Sequence, residues 1–121
     1  GTGSILVVDD DAEVRDVTGA MLETLGYTVS RAASAVEALA QIQAVTFDLV
    51  VSDVVMPGTS GVELERQLRQ QRPGLKVLLV SGYARDAFTR EGVDETRDVA
   101  LLPKPLRLEA LGRAVRKLLR E

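Results

Sequence analysis

Short runs of consecutive aliphatic residues alternate with amphipathic stretches along the whole chain. A continuous apolar run is typical of a strand buried on both faces, whereas apolar residues spaced three and four apart are typical of a helix that buries one face. Such runs occur in four of the five predicted strands, over residues 5–8, 47–52, 75–80 and 99–102, and residues 27–32 form a shorter predicted strand of mixed polarity. Because helical segments follow each of them, we expect an α/β fold: a doubly wound, five-stranded parallel sheet with helices on both faces.

The helical segments carry start signals and apolar stripes. Ser34 precedes Glu37, and Ser60 precedes Glu63, at the spacing of a capping box. The apolar positions expected to face the core are Val14, Val17, Met21 and Leu25 in the first helix, Leu39, Ile42 and Val45 in the second, Leu64 and Leu68 in the third, and Leu108, Leu111, Val115 and Leu118 in the last. Residues 84–98 are mostly polar, so only a short or weak fourth helix is predicted there.

Composition limits the chemistry and the partners. The 121 residues suit one domain, and the absence of Cys and His excludes disulfides, thiol nucleophiles, histidine metal sites and triads that need either residue. A net charge of -3 argues against binding to nucleic acid. No apolar run approaches the roughly 18 residues that span a bilayer, so we expect a cytoplasmic protein without membrane contact. Residues 1–4 resemble a cloning remnant, which leaves 5–121 as the domain.

Polar side chains follow the predicted strands where each strand ends. Asp9 and Asp10 follow the first strand, and Asp53 follows the third. Ser81 follows the fourth strand, and Lys104 comes shortly after the fifth. Because ligands of such sheets bind beyond the carboxyl ends of the strands, these side chains are expected to lie together at one edge.

Two interpretations of this group are open. Acids at strand ends can be solvent-exposed caps, and Asp11 is well placed to cap the first helix. A cluster of carboxylates, however, is unfavourable without a cation, and its oxygens suit Mg2+. Acids, a metal, a hydroxyl and an ammonium around one point describe a phosphoryl-transfer site. Asp53 precedes a Met-Pro-Gly turn that leaves room for a substrate, and it is the candidate nucleophile.

Four segments, each at the end of a predicted strand, carry a family resemblance. They are Val7–Asp11, Asp48–Gly58, Val80–Ala84 and Leu102–Pro105. Together they resemble the receiver domains of two-component response regulators, over nearly the whole chain. The resemblance implies the flavodoxin-like strand order 2-1-3-4-5. It also implies a phosphoacceptor signalling module, whose only catalysis is its own phosphorylation and autodephosphorylation.

The resemblance assigns a role to each acid. Asp53 would accept a phosphoryl group from the phosphohistidine of a histidine kinase or histidine phosphotransfer domain. Mg2+ would be held by Asp9, Asp10, Asp53 and the backbone carbonyl of Val55.

The resemblance also concerns the response to phosphorylation. Ser81 and Lys104 would each contact a phosphoryl oxygen, and the Lys104–Pro105 peptide would be cis. The signal would then reach the face formed by the fourth helix, the fifth strand and the last helix. Many receivers have a switching aromatic residue three positions before this lysine, whereas this chain has Leu101, which is interpreted as strand core.

Three questions stay open at the level of sequence. One alternative function is a Mg2+-dependent aspartyl phosphatase, although Val55 stands where that class needs a second acid. Another is a receiver-like interaction module that is never phosphorylated, although such modules usually lose part of the acid, serine and lysine set.

The chain resembles both single-domain regulators and receivers of hybrid histidine kinases. The last helix carries basic residues that form either a solvated face or a docking surface: Arg107, Arg113, Arg116, Lys117 and Arg120.

Overall fold

Strands and helices alternate along the chain, as the sequence predicts. The computed structural model describes residues 2–81 and 99–120. Its strands are β1 (Ser4–Val8), β2 (Thr28–Ala32), β3 (Leu49–Asp53), β4 (Lys76–Ser81) and β5 (Val99–Pro103). Its helices are α1 (Ala12–Thr24), α2 (Ala35–Ala44), α3 (Gly61–Gln71) and α4 (Leu108–Leu119). The predicted fourth helix over 84–98 lies outside the described residues.

The strands form one parallel sheet in the order β2-β1-β3-β4-β5, which confirms the predicted fold. Its two faces are covered by different helices. One core cluster joins the sheet to α2 and α3, and the other joins it to α1 and α4. The central strands are apolar on both faces because both faces are covered; Leu6 and Ile5, neighbours on β1, belong to opposite clusters.

The helix starts follow the predicted signals. The Asp11 carboxylate accepts hydrogen bonds from the amides of Glu13 and Val14 at the start of α1. Ser34 and Ser60 each accept one from the amide three residues ahead. Caps of this kind satisfy amides that lack a partner within the helix, so they fix where α1, α2 and α3 begin at the site edge of the sheet.

Three of the predicted core positions are wrong. Val17, Val45 and Leu108 are 55%, 49% and 37% exposed. On α1 the buried residues are Thr18, Gly19 and Leu22, so the buried face begins one position beyond Val17 and the helix is rotated relative to its most apolar stripe. Val45 lies beyond the end of α2 in extended backbone, so it does not share the buried stripe of that helix.

The start of the first strand also differs from the prediction. β1 begins at Ser4, one residue before the expected start, and Ser4 pairs with Thr28 on β2. The Ser4 amide donates to Asp48 over 2.8 Å, which ties this first residue to the segment before β3. No helix in the described part of the chain is both long and apolar enough to cross a bilayer.

Candidate functional site

The described strands bring the predicted polar residues to one edge of the sheet. Asp9 directly follows β1, Asp53 ends β3, and Ser81 ends β4. The amide of Lys104, directly after β5, donates to the carbonyl of Ser81 over 2.9 Å. The parallel register therefore places acid, hydroxyl and ammonium groups at neighbouring strand ends, as the sequence predicts.

Three carboxylates form the centre of this group. Asp9, Asp10 and Asp53 each offer an oxygen, and these oxygens lie within 4.8 Å of one another. Asp9 is buried, Asp53 is half-buried, and Asp10 is exposed. Hard carboxylate oxygens at this separation fit a hard divalent cation such as Mg2+, which typically binds one or two carboxylates and keeps several waters.

Lys104 supplies a positive charge to the same cluster. Its Nζ lies 3.3 Å from Oδ1 of Asp53 and 3.7 Å from Oδ2 of Asp9. The side chain is 29% exposed, so water screens these interactions only in part. The Lys104–Pro105 peptide is cis, as the family resemblance implies. One ammonium thus serves two carboxylates that come from different strands.

The pKa of Asp9 is raised above its ordinary value of 3.8. Burial is the largest cause, because desolvation disfavours the charged carboxylate. The neighbouring carboxylates of Asp53 and Asp10 raise the pKa further. A hydrogen bond from the Asp11 amide and the charge of Lys104 act in the opposite direction without cancelling the shift. Ionised Asp9 is therefore held at a cost in folding free energy when no cation is bound.

This cost predicts the effect of Asp9→Asn on stability. A raised folded-state pKa means that the folded protein favours protonated Asp9, so ionisation lowers stability as pH rises from 3.8 through the raised pKa. Without Mg2+, Asp9→Asn should be more stable than wild type at pH 7, and the difference should vanish below pH 3.8. Urea unfolding across this pH range measures it. Wild type that is as stable as the variant at pH 7 would contradict the prediction.

Two contacts that orient Asp9 were not predicted from the sequence. The Asp11 amide donates to Asp9 Oδ1 over 2.9 Å. The guanidinium of Arg15, one turn into α1, donates to the Asp9 carbonyl over 2.8 Å. Arg15 follows Asp10 by five residues, but an arginine on an amphipathic helix has no signal that distinguishes such a contact from solvent exposure. The β1–α1 turn is therefore held by α1 as well as by its cap.

The remaining candidates surround the acids. Ser81 is buried, and its position next to Lys104 at the sheet edge agrees with the prediction. The Val55 side chain is 52% exposed in the loop after β3. Leu101 is partly buried against the core cluster that includes α2 and α3, which agrees with its interpretation as strand core.

Comparison with known proteins identifies the family. Residues 5–116 match the response regulator receiver domain. The chain is 42% identical over 121 residues to the sensor kinase CckA of Brucella abortus (strain 2308), covering 98% of this chain and 13% of CckA.

Solved structures of similar proteins share the fold. The chemotaxis protein CheY4 of Vibrio cholerae is 29% identical, with a TM-score of 0.87 over 98% of this chain and 99% of that one. The response regulator TrrA of Thermotoga maritima, solved with Mg(2+)-BeF, is 30% identical, with a TM-score of 0.83 over 95% of this chain and 97% of that one. With its strand order, its acid cluster and the family match, the chain belongs to the response regulator receiver domains of two-component systems.

Proposed function

We propose that this receiver domain accepts a phosphoryl group on Asp53 from the phosphohistidine of a histidine kinase or histidine phosphotransfer domain. The observation that carries the proposal is the convergence of three carboxylates within 4.8 Å, with the Lys104 ammonium 3.3 Å from Asp53. Relatives support it, because receivers of this family act with histidine kinases or phosphotransfer partners. We propose residues 5–121 as the extent of the domain, with Ser4 adding one residue to the start of β1.

Asp53 is the nucleophile of the proposed transfer. One of its carboxylate oxygens forms a bond to phosphorus while the P–N bond of the phosphohistidine breaks. The electron pair of that bond goes to the leaving imidazole nitrogen, so no oxidant or reductant is needed. The carboxylate is suited to this role because it ends β3 at the open edge of the sheet and is only half-buried.

Charge is the main obstacle, because the incoming phosphoryl group enters a pocket that already holds three acids. Mg2+ bound by Asp9, Asp10, Asp53 and the Val55 carbonyl would neutralise the phosphoryl oxygens. The complex of TrrA with Mg(2+)-BeF supports this assignment by similarity. Lys104 supplies the second positive charge, at a point where it already contacts two of the acids.

Ser81 and Lys104 also provide the proposed output. Ser81 ends β4 and Lys104 follows β5, and these two strands pair directly. A phosphoryl group on Asp53 attracts the Ser81 hydroxyl as a donor and the Lys104 ammonium as a counter-charge. A population shift at these two strand ends would then alter the face that includes β5 and α4.

The test is the intact mass of the protein after incubation with an acyl-phosphate donor. We expect one added phosphoryl group in the presence of Mg2+, and at least about tenfold slower addition after chelation of the metal by EDTA. Restoring Mg2+ should restore the rate. An unchanged mass with Mg2+ would refute the proposal, and turnover of an unrelated phosphate ester would favour a phosphatase instead.

A further inference from the structure

Gly61, the first residue of α3, lies against the backbone of the proposed phosphoacceptor. Glycine has no Cβ, so it allows another stretch of backbone to approach more closely than any other residue does. The position is buried, and a Cβ built there would overlap the carbonyl oxygen of Asp53. That Cβ would also lie 2.9 Å from Cα of Val54 and 3.0 Å from the carbonyl carbon of Asp53. All three neighbours are backbone atoms, which cannot move aside as a flexible side chain can.

Hydrogen bonds fix the same stretch of backbone from two sides. The Gly61 amide donates to the Val54 carbonyl over 2.7 Å, and the Val54 amide donates to the Val80 carbonyl over 3.0 Å. The Ser52 hydroxyl donates to the Asp53 carbonyl over 3.0 Å. The peptide that carries Asp53 is therefore held between β4 and the first residue of α3. A side chain at position 61 would overlap this peptide, and only a shift of the peptide or of α3 could relieve the overlap.

We propose that Gly61 is a positioning residue for the phosphoacceptor site, an inference that rests on the proposed role of Asp53. Its lack of a side chain allows α3 to seat directly on the Asp53–Val54 peptide. That seat sets the direction of the Asp53 carboxylate towards Asp9 and Lys104. It also closes the loop in which Val55, the proposed carbonyl ligand, lies.

The required accuracy explains why one carbon atom matters. Lys104 Nζ and Asp53 Oδ1 are separated by 3.3 Å, an ion pair that depends on the direction of the Asp53 carboxylate. A displacement of about 1 Å in a reacting group can reduce a rate by about a hundredfold. A methyl group at position 61 cannot be accommodated without displacing backbone at this site, because every close neighbour is main chain.

The test compares Gly61→Ala with Gly112→Ala. Gly112 is also a buried helical glycine, but its close neighbours are side-chain atoms of Arg116 and Leu25, in the core on the α1 and α4 face. Calorimetric titration with MgCl2 gives the Mg2+ dissociation constant, and circular dichroism gives the melting temperature. We expect the constant to rise about tenfold in Gly61→Ala, because residues that orient metal ligands affect metal affinity by that order, and to stay within twofold of wild type in Gly112→Ala.

A purely structural role for Gly61 would lower the melting temperature and leave the Mg2+ dissociation constant unchanged, and this result would overturn the proposal. Ser52→Ala removes the hydrogen bond from the Ser52 hydroxyl to the Asp53 carbonyl without adding an atom. It is expected to raise the constant about threefold. If Gly61→Ala does not fold, Ser52→Ala decides, and an unchanged constant would refute the positioning of this peptide.

Intact mass with the acyl-phosphate donor separates this proposal from the proposed function. If wild type gains a phosphoryl group and Gly61→Ala binds Mg2+ as tightly as wild type, the positioning role alone is refuted. If wild type gains no phosphoryl group and Gly61→Ala binds Mg2+ more weakly than wild type, the phosphoacceptor function is refuted and the positioning role is retained.

Discussion

Asp53→Asn is expected to reduce phosphoryl incorporation from an acyl-phosphate donor by about a hundredfold or more. The substitution keeps the size of the side chain but replaces the anionic oxygen with an amide, which is a very weak nucleophile. No other described acid of the cluster has the same position at a strand end: Asp9 is buried and accepts an amide hydrogen bond, and Asp10 is exposed after β1. Intact mass as a function of time measures the loss.

The matched control is Asp48→Asn. Asp48 is five residues earlier, just before β3 at the opposite edge of the sheet, and its carboxylate accepts a hydrogen bond from Ser4. An asparagine oxygen can accept the same bond, so this variant should be phosphorylated as fast as wild type. Equal labelling of Asp53→Asn and wild type, or a phosphoryl group mapped to a different residue, would contradict the assignment.

The fold and the outline of the site were predictable because both depend on strongly local signals. Runs such as Ile5–Val8 are apolar at every position, and only a strand covered on both faces buries all of them. Once the strands are parallel, the first polar residue after each run must lie at the same edge. Asp9, Asp53, Ser81 and Lys104 follow from that rule, and the structure brings them together.

The unpredicted features depend on contacts between segments that are distant in sequence. The guanidinium of Arg31 on β2 reaches over Gly19, where a Cβ would overlap it, and pairs with Asp16 and Glu23 on α1. This contact requires a small residue in the middle of a helix whose apolar stripe alone would turn Val17 inwards. Hydrophobic periodicity cannot distinguish two helix faces that are offset by one residue. Which face of α1 is buried therefore depends on its contact with β2.

The buried polar side chains of α3 illustrate a second limit of prediction from the sequence. Glu65 is 1% exposed, although the sequence gives no reason to bury it, and its carboxylate lies 3.1 Å from Nε of Arg69. A glutamate and an arginine four residues apart also occur on solvated helix faces, so the spacing is compatible with both environments. Partners supplied by the fold, which the sequence does not display, decide between them.

Lys104→Met is expected to change Mg2+ binding and phosphorylation in opposite directions. The lysine and a bound cation compete for the same carboxylates, since Nζ lies 3.3 Å from Asp53 and 3.7 Å from Asp9. Loss of the ammonium leaves the cluster more negative, so the Mg2+ dissociation constant should fall by about threefold to tenfold. Phosphoryl incorporation should slow by about a hundredfold, because a positioned charge for the phosphoryl oxygens is gone.

Calorimetry with MgCl2 and intact mass with the acyl-phosphate donor measure the two effects on the same samples. Lys117→Met is the control, because Lys117 is exposed on α4 and forms no ion pair with any residue in the described ranges 2–81 and 99–120. Methionine keeps most of the lysine stem in both variants, so a difference between them reports the charge at position 104 rather than lost packing. If Lys104→Met weakened both Mg2+ binding and phosphorylation, the lysine would be holding the acids in place instead of competing with the cation, and its role would be structural.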